Sequence, residues 1–290
     1  AVIEMAAASG LSLLTAEERK PSLTSTYGTG QLISAALDAG CARIAVGMGG
    51  SATNDGGAGA VEALGIRFFG AGGQPLARGG AALCQLDRID LKHRNRRLDE
   101  VELCVAVDVI NPLLGSTGAT HIYGPQKGGD PEGLSPLERG MTRLAEIARA
   151  TLKKDFASIP GAGAAGGLAF GLMAFCGARL KSGFEWFAEV LDLEQRIEQA
   201  DLVLTGEGRL DAQTFFGKGP GALANLAKRK GKRTVIFAGA VEHPTPSAPF
   251  PFDEVVRIPG PAEQTSGDSA ATRLALAATT WALRVGSSQV

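Results

Sequence analysis

Residues 49–57 read Gly-Gly-Ser-Ala-Thr-Asn-Asp-Gly-Gly, between a strand-like Arg43-Ile-Ala-Val46 and a short helical run over 58–64. A tight turn with an Asn or Asp cap accounts for part of this pattern. The density of Ser51, Thr53, Asn54 and Asp55 beside Gly49 and Gly50 also suits an anion at a helix start, where backbone N–H groups lack intrahelical partners. A carboxylate beside an anion is repulsive unless a cation lies between them. Asp55 is therefore expected to face Mg²⁺ or a basic side chain, with Lys127, Arg209 and Lys218 as candidates.

Two further stretches place polar groups beside glycines after strand-like runs. In the first, Asp108 ends the run 101–107, followed by Asn111 and then Gly124-Pro-Gln-Lys-Gly-Gly129 around Lys127. The end of a strand is the usual place for a functional residue in an open α/β sheet. The second is Thr205-Gly-Glu-Gly-Arg-Leu-Asp211-Ala-Gln213, then Gly217-Lys-Gly-Pro220. Here Glu207, Arg209 and Asp211 are expected to crowd one turn. Each stretch taken alone also reads as a solvated turn. Taken together, carboxylates that suit Mg²⁺, basic side chains that suit phosphate and glycine-framed turns describe phosphoryl transfer.

A dinucleotide site is the competing enzyme reading, because Gly47–Ala52 fits G-x-G-x-x-A after a strand. That fingerprint wants an acid after the next strand, and 66–69 runs instead into Gly-Ala-Gly-Gly. Gly161–Gly166 matches G-x-G-x-x-G but follows a poor strand ending in Pro160, and no G-x-x-x-x-G-K-[ST] occurs.

The elements that must position these residues alternate. Strand-like runs cover 43–46, 66–69, 101–107, 201–204, 234–238 and 254–258; helical patterns cover 31–39, 135–154, 168–180, 221–230 and 270–284. The alternation predicts an α/β fold. Ser135-Pro-Leu-Glu138 reads as a helix start, and Leu137, Met141, Leu144, Ala148 and Thr151 then recur at helical spacing as a core stripe. The basic run 228–233 is expected to close a helix with Gly231 as a left-handed cap. Segments 70–100 and 111–135 are less periodic and suggest a second lobe inserted into the regular part.

Composition narrows the classes. With 29 Lys and Arg against 30 Asp and Glu, the net charge of -1 gives no reason to expect a nucleic-acid or membrane-surface partner. The uncharged stretch 156–178 has a loop-like first half, so its apolar part is too short to span a bilayer. Cys41, Cys84, Cys104 and Cys176 form no C-x-x-C pair and read as reduced, packed thiols of a cytoplasmic protein. Glycine, at 40 of 290 residues, is about twice its usual share of roughly 7%, which suggests backbone brought close to ligands.

The stretches Ile3–Gly10, Gly28-Thr-Gly30, Gly49–Gly57, Asn111-Pro112, Tyr123–Gly128, Pro160–Gly167, Thr205–Asp211 and Gly217-Lys218 resemble the bacterial glycerate kinases of the type I family along nearly all of the chain. The resemblance implies a Rossmann-like parallel-sheet lobe (21–65 and 200–290) and a second, inserted α/β lobe (1–20 and 66–199). It implies ATP, Mg²⁺ and phosphorylation of D-glycerate to 2-phosphoglycerate. The family's opening segment, with an A-P-D-S-x-K motif and then A-D-G-G-E-G-T, has no counterpart here, so a catalytically silent ligand-binding homologue stays an alternative. The site then comprises Asp55, Asp211, Lys127 and Arg209 as catalytic groups, with Asp108 and Glu207 at the metal. Gly49, Gly50, Ser51, Thr53, Asn54, Asn111, Gly163, Gly166, Gly167, Gln213 and Lys218 bind nucleotide or substrate. A homo-oligomer is left open.

Overall fold

A computed structural model describes residues 1–211, 214, 219–242, 251–260 and 269–287. The chain divides into two compact units, Ala1–Gly183 and Phe184–Val290.

The first unit is built on a parallel sheet in the order β1-β2-β5-β6, from β1 (Val2–Glu4), β2 (Arg43–Gly47), β5 (Glu102–Ala106) and β6 (Arg179–Lys181). Ile44, Val46, Leu103 and Val105 are buried, as strands covered on both faces require. A two-stranded antiparallel sheet pairs β3 (Arg67–Gly70) with β4 (Leu86–Asp90). The helices are α1 (Ala6–Ser9), α2 (Tyr27–Asp38), α3 (Ala58–Ala63), α4 (Ala119–Tyr123), α5 (Pro131–Leu152) and α6 (Ala164–Cys176).

The expected apolar helix is α6. Ala165, Gly166 and Gly167 take left-handed angles, so regular helix begins at Leu168, and Gly177 at φ 71 caps it ahead of β6. Nearly every residue from Leu168 to Cys176 is buried, the pattern of a helix enclosed by protein on all sides. Burial pushes the Cys176 thiol up to about 12. Cys104 is also buried, whereas Cys84 is exposed and departs from the expectation of four packed thiols. The cap of helix α5 lies five residues before the expected Ser135: it is Asp130, accepting the Gly133 N–H at 2.6 Å, with Pro131 in the first turn. Two Pro-marked starts stand in series here, and the earlier one wins. Leu137, Met141, Leu144 and Ala148 are buried as expected, while Thr151 is exposed.

The second unit carries α7 (Gly183–Val190), which opens at the boundary residue, then α8 (Leu193–Gln199) and β7 (Leu202–Leu210). There follow α9 (Gly219–Arg229), β8 (Arg233–Val241), β9 (Glu254–Arg257) and α10 (Ala270–Ser287). The sheet β7-β8-β9 is parallel. Trp281 of α10 packs edge-on against Phe237 and donates its indole N–H to Glu254 at 3.0 Å. Gly231 takes φ 68 just beyond α9, as the basic run predicts.

The lobe boundaries differ from those expected. Residues 21–65 do not group apart from 66–183, because β2 hydrogen-bonds along its whole length to β5 within one sheet. Among the described residues, no helix is long and apolar enough to cross a membrane.

Candidate active site

Parallel strands place their C-terminal ends along one sheet edge, where α/β proteins bind ligands. The segments leaving β1, β2, β5 and β6 at that edge are those beginning at Met5, Met48, Val107 and Ser182. The Met48–Gly57 loop is tied down by its neighbours. Leu11 N–H donates to Gly50 O at 2.8 Å, Ala52 N–H to Ser9 O at 3.0 Å, and the Thr24 hydroxyl to Ala52 O at 2.9 Å. Gly49 and Gly50 remain exposed, whereas Ser51, Thr53 and Asn54 are buried.

Among the described residues, Ser51 Oγ, Thr53 Oγ1 and Asn54 Oδ1 have no hydrogen-bond partner. Buried polar atoms without partners are uncommon and mark either ordered solvent or a ligand. Asn54 is anchored by its other end, Nδ2 donating to Thr120 Oγ1 at 3.1 Å. Beneath the loop lies Lys127, 2% exposed, whose Nζ donates to Thr53 O at 2.7 Å. Burial pulls its ammonium down to about 8, opposed by the negative field of Asp55. Of the three cations expected to answer Asp55, Lys127 is the one that belongs to the same unit.

Asp55 is not an open ligand. It is 1% exposed. Its Oδ2 accepts from Thr26 N at 2.8 Å, Thr26 Oγ1 at 2.9 Å and Gly59 N at 3.2 Å; its Oδ1 accepts from Gly57 N at 3.1 Å. Thr26 precedes α2, while Gly57 and Gly59 open α3. One carboxylate thus serves the starts of two helices, where orphan N–H groups and the helix dipoles favour negative charge. Burial pushes its pKa upward, and the donors from Thr26, Gly59 and Gly57 pull it back.

Glycines 163, 166 and 167 are enclosed by protein, so they serve packing in this unit. A side chain on Gly166, at φ 66, would stand 1.9 Å from Thr53 O. Asn111 is held on three sides, with Nδ2 on Thr117 O at 2.8 Å, Oδ1 accepting from the Tyr123 hydroxyl at 2.7 Å, and its carbonyl accepting Gly163 N–H at 2.9 Å. Asp108 is exposed after β5 and accepts Gly183 N–H at 2.9 Å.

In the second unit the expected turn over 205–211 is strand up to Leu210: β7 pairs with β8 from Leu202 to Glu207 and again at Arg209 and Leu210. Side chains two apart share a strand face, so Glu207 and Arg209 stand side by side. Glu207 Oε2 accepts the hydroxyl of buried Thr214 at 2.7 Å, and Thr214 N–H donates to Asp211 O at 3.1 Å. Arg209 pairs with Glu242 at 3.0 Å with both side chains largely exposed. Gln213 and Lys218 lie outside the described residues. Among the described residues, no three of His, Cys, Asp and Glu converge as metal ligands.

Sequence reasoning missed Thr26, Thr120 and Thr214. Thr26 carried a signal, since a Thr directly ahead of Tyr27-Gly-Thr-Gly-Gln-Leu-Ile33 fits a helix cap. The dinucleotide reading fails on topology: β3 pairs antiparallel with β4, so β2, α3 and β3 form no parallel βαβ unit, which that fingerprint requires.

Comparison with known proteins agrees with this framework. A crystal structure assigned as glycerate kinase 2 from Salmonella typhimurium LT2 superposes with a TM-score of 0.86 at 42% identity, covering 99% of this chain and 76% of that one. The glycerate kinase of Halalkalibacterium halodurans is 48% identical over 241 residues, and the glycerate 2-kinase of Escherichia coli K12 is 47% identical over the same length. These alignments take in 83% of this chain and 63% of each relative, so the chain spans under two thirds of their length. The model of the glycerate kinase family matches residues 1–281, and the chain belongs to that family.

Proposed function

We propose that this protein transfers the γ-phosphoryl group of ATP to a hydroxyl of D-glycerate, giving 2-phosphoglycerate. The observation that carries the reading is the family match over residues 1–281. The naming of the Escherichia coli relative as a glycerate 2-kinase supports the choice of hydroxyl. The geometry supports a place for the anionic reactant at the Gly49–Asn54 loop. Two exposed glycines let a ligand approach the main chain, and the Lys127 ammonium lies under Thr53. The unpartnered hydroxyls of Ser51 and Thr53 add neutral donors.

Mg²⁺ in such enzymes neutralises charge on the β- and γ-phosphates and takes one or two protein carboxylates besides phosphate and water. Asp108 of the first unit and Glu207 of the second are the proposed carboxylates: Asp108 Oδ1 accepts Gly183 N–H, Glu207 Oε2 accepts the Thr214 hydroxyl, and neither is fully buried. Asp211 is the proposed acid that orients the attacking hydroxyl, and Arg209 offsets charge on the phosphates. The reaction itself is mainly positioning and charge stabilisation.

A coupled ADP-release assay tests this, with the product identified by phosphorus NMR. The expected result is release that requires both Mg²⁺ and D-glycerate, with 2-phosphoglycerate accumulating. Release that D-glycerate does not stimulate would sink the reading.

A further inference from the structure

In the second unit β9 is the last strand of the sheet β7-β8-β9, with β8 on one side and, among the described residues, no strand on the other. Ile258 N–H donates to Ala238 O at 2.8 Å. Alternate residues of a strand turn their main-chain groups to opposite edges, so Glu254 and Val256 face β8 while Val255 and Arg257 face outward. An edge of this kind accepts a further strand. Helix α10 overhangs it. Val256 packs with Phe237 and Trp281 under the helix. A groove of about 360 Å³ runs between the helix and the edge, lined by Val255, Leu276, Thr280 and Arg284 among others. Leu276, Thr280 and Leu283 share one helical stripe, and the two leucines are 51% and 72% exposed.

We propose that this edge pairs with the β9 of a second copy of the chain, antiparallel across a two-fold axis at Val255. Such an axis stands perpendicular to the sheet, so residues that face each other must lie on the same face. Val255 opposite itself meets that condition, and its outward N–H and C=O let the two copies exchange both main-chain hydrogen bonds there. In this register Asp253 stands opposite Arg257 of the second copy, and Arg257 opposite its Asp253, so both ends of the pairing join opposite charges. Asp253 holds Thr234 N–H through Oδ2 at 2.6 Å, and among the described residues its Oδ1 accepts nothing. The neighbouring register, centred on Val256, would set Arg257 opposite Val255 and leave that charge unanswered. A four-residue strand is too small to hold two copies by itself. The same axis brings both α10 helices to one face of the joined sheet, where the Leu276–Leu283 stripe of each covers the groove of the other. A two-fold contact uses up the edge on both copies and so stops at two. The inference is independent of the reaction proposed above.

Sedimentation velocity at rising micromolar concentration is the test. A reversible species of twice the mass of one chain is expected. Arg257→Asp sets like charges against Asp253 at both ends of the pairing and should weaken the dimer on the order of tenfold or more. Adding Asp253→Arg to that variant makes the facing charges opposite again and should bring the dimer back. Hydrogen exchange gives a second readout that needs no variant: the outward Val255 amide should exchange more slowly at high protein concentration than at low. The mass of one chain at every concentration overturns the proposal, as does a dimer that Arg257→Asp leaves as tight as the parent's. If the charge-swapped chain does not fold, the Val255 amide decides, and exchange there that ignores concentration overturns the proposal.

Discussion

At the scale of single residues, the chemistry converges on Lys127 rather than on Asp55. A Lys held near 8 by burial is charged below that pH and neutral above it. If its ammonium offsets reactant charge, turnover should hold below about pH 8 and fall as pH rises through it. Lys127→Arg should abolish this alkaline fall, because guanidinium stays charged; an unshifted limb would assign the titration to another group. Asp55→Asn should act first on the fold, since Asn cannot accept at both oxygens from Thr26, Gly57 and Gly59. We expect a loss of about 2–4 kcal/mol, read as a lower urea midpoint. Sequence reading singles out both residues, and the structure adds that the Asp55 carboxylate accepts from the starts of two helices. Asp55 was legible as a polar residue in a glycine turn, and Lys127 was legible as its cation. That Asp55 serves two helix starts was not legible, because its partner Thr26 lies 29 residues away.

At the scale of elements, the regular strands were visible in the sequence because their apolar runs are short and bounded by loop residues. Strands β2 and β8 appear where 43–46 and 234–238 predicted them. The three-residue strands β1 and β6 are too short to carry a period. The polar run 205–211 reads as a turn from its composition. Pairing with β8 overrides that local preference and carries β7 on to Leu210. The glycine-rich 160–167 segment also changes meaning. Its glycines let backbone pass close to backbone, the tightest case being Gly166 against Thr53 O. Gly166→Ala should therefore cost about 2–4 kcal/mol through clash and positive φ. It should also disturb the Thr53 carbonyl that receives Lys127. A denaturation midpoint equal to the parent's would show that the loop yields easily and that this packing is unimportant.

At the scale of the molecule, the largest hydrophobic cluster runs from Ile3 to Ala178 and lies wholly within the first unit. The second unit has smaller clusters of its own around Ile236, Val203 and Trp281. A unit with its own core can in principle fold alone. The fragment 1–183 is expected to unfold cooperatively and to give a dispersed NMR spectrum; a molten spectrum would show that it depends on the second unit. The central claim is that this chain phosphorylates D-glycerate with Lys127 supplying charge. Its most direct test is ADP release with D-glycerate by the parent and by Lys127→Met, at pH 7. The account expects glycerate-stimulated release in the parent and a drop on the order of 10²-fold or more in the variant, with folding retained. Equal rates in the two proteins, or no stimulation in the parent, would contradict it.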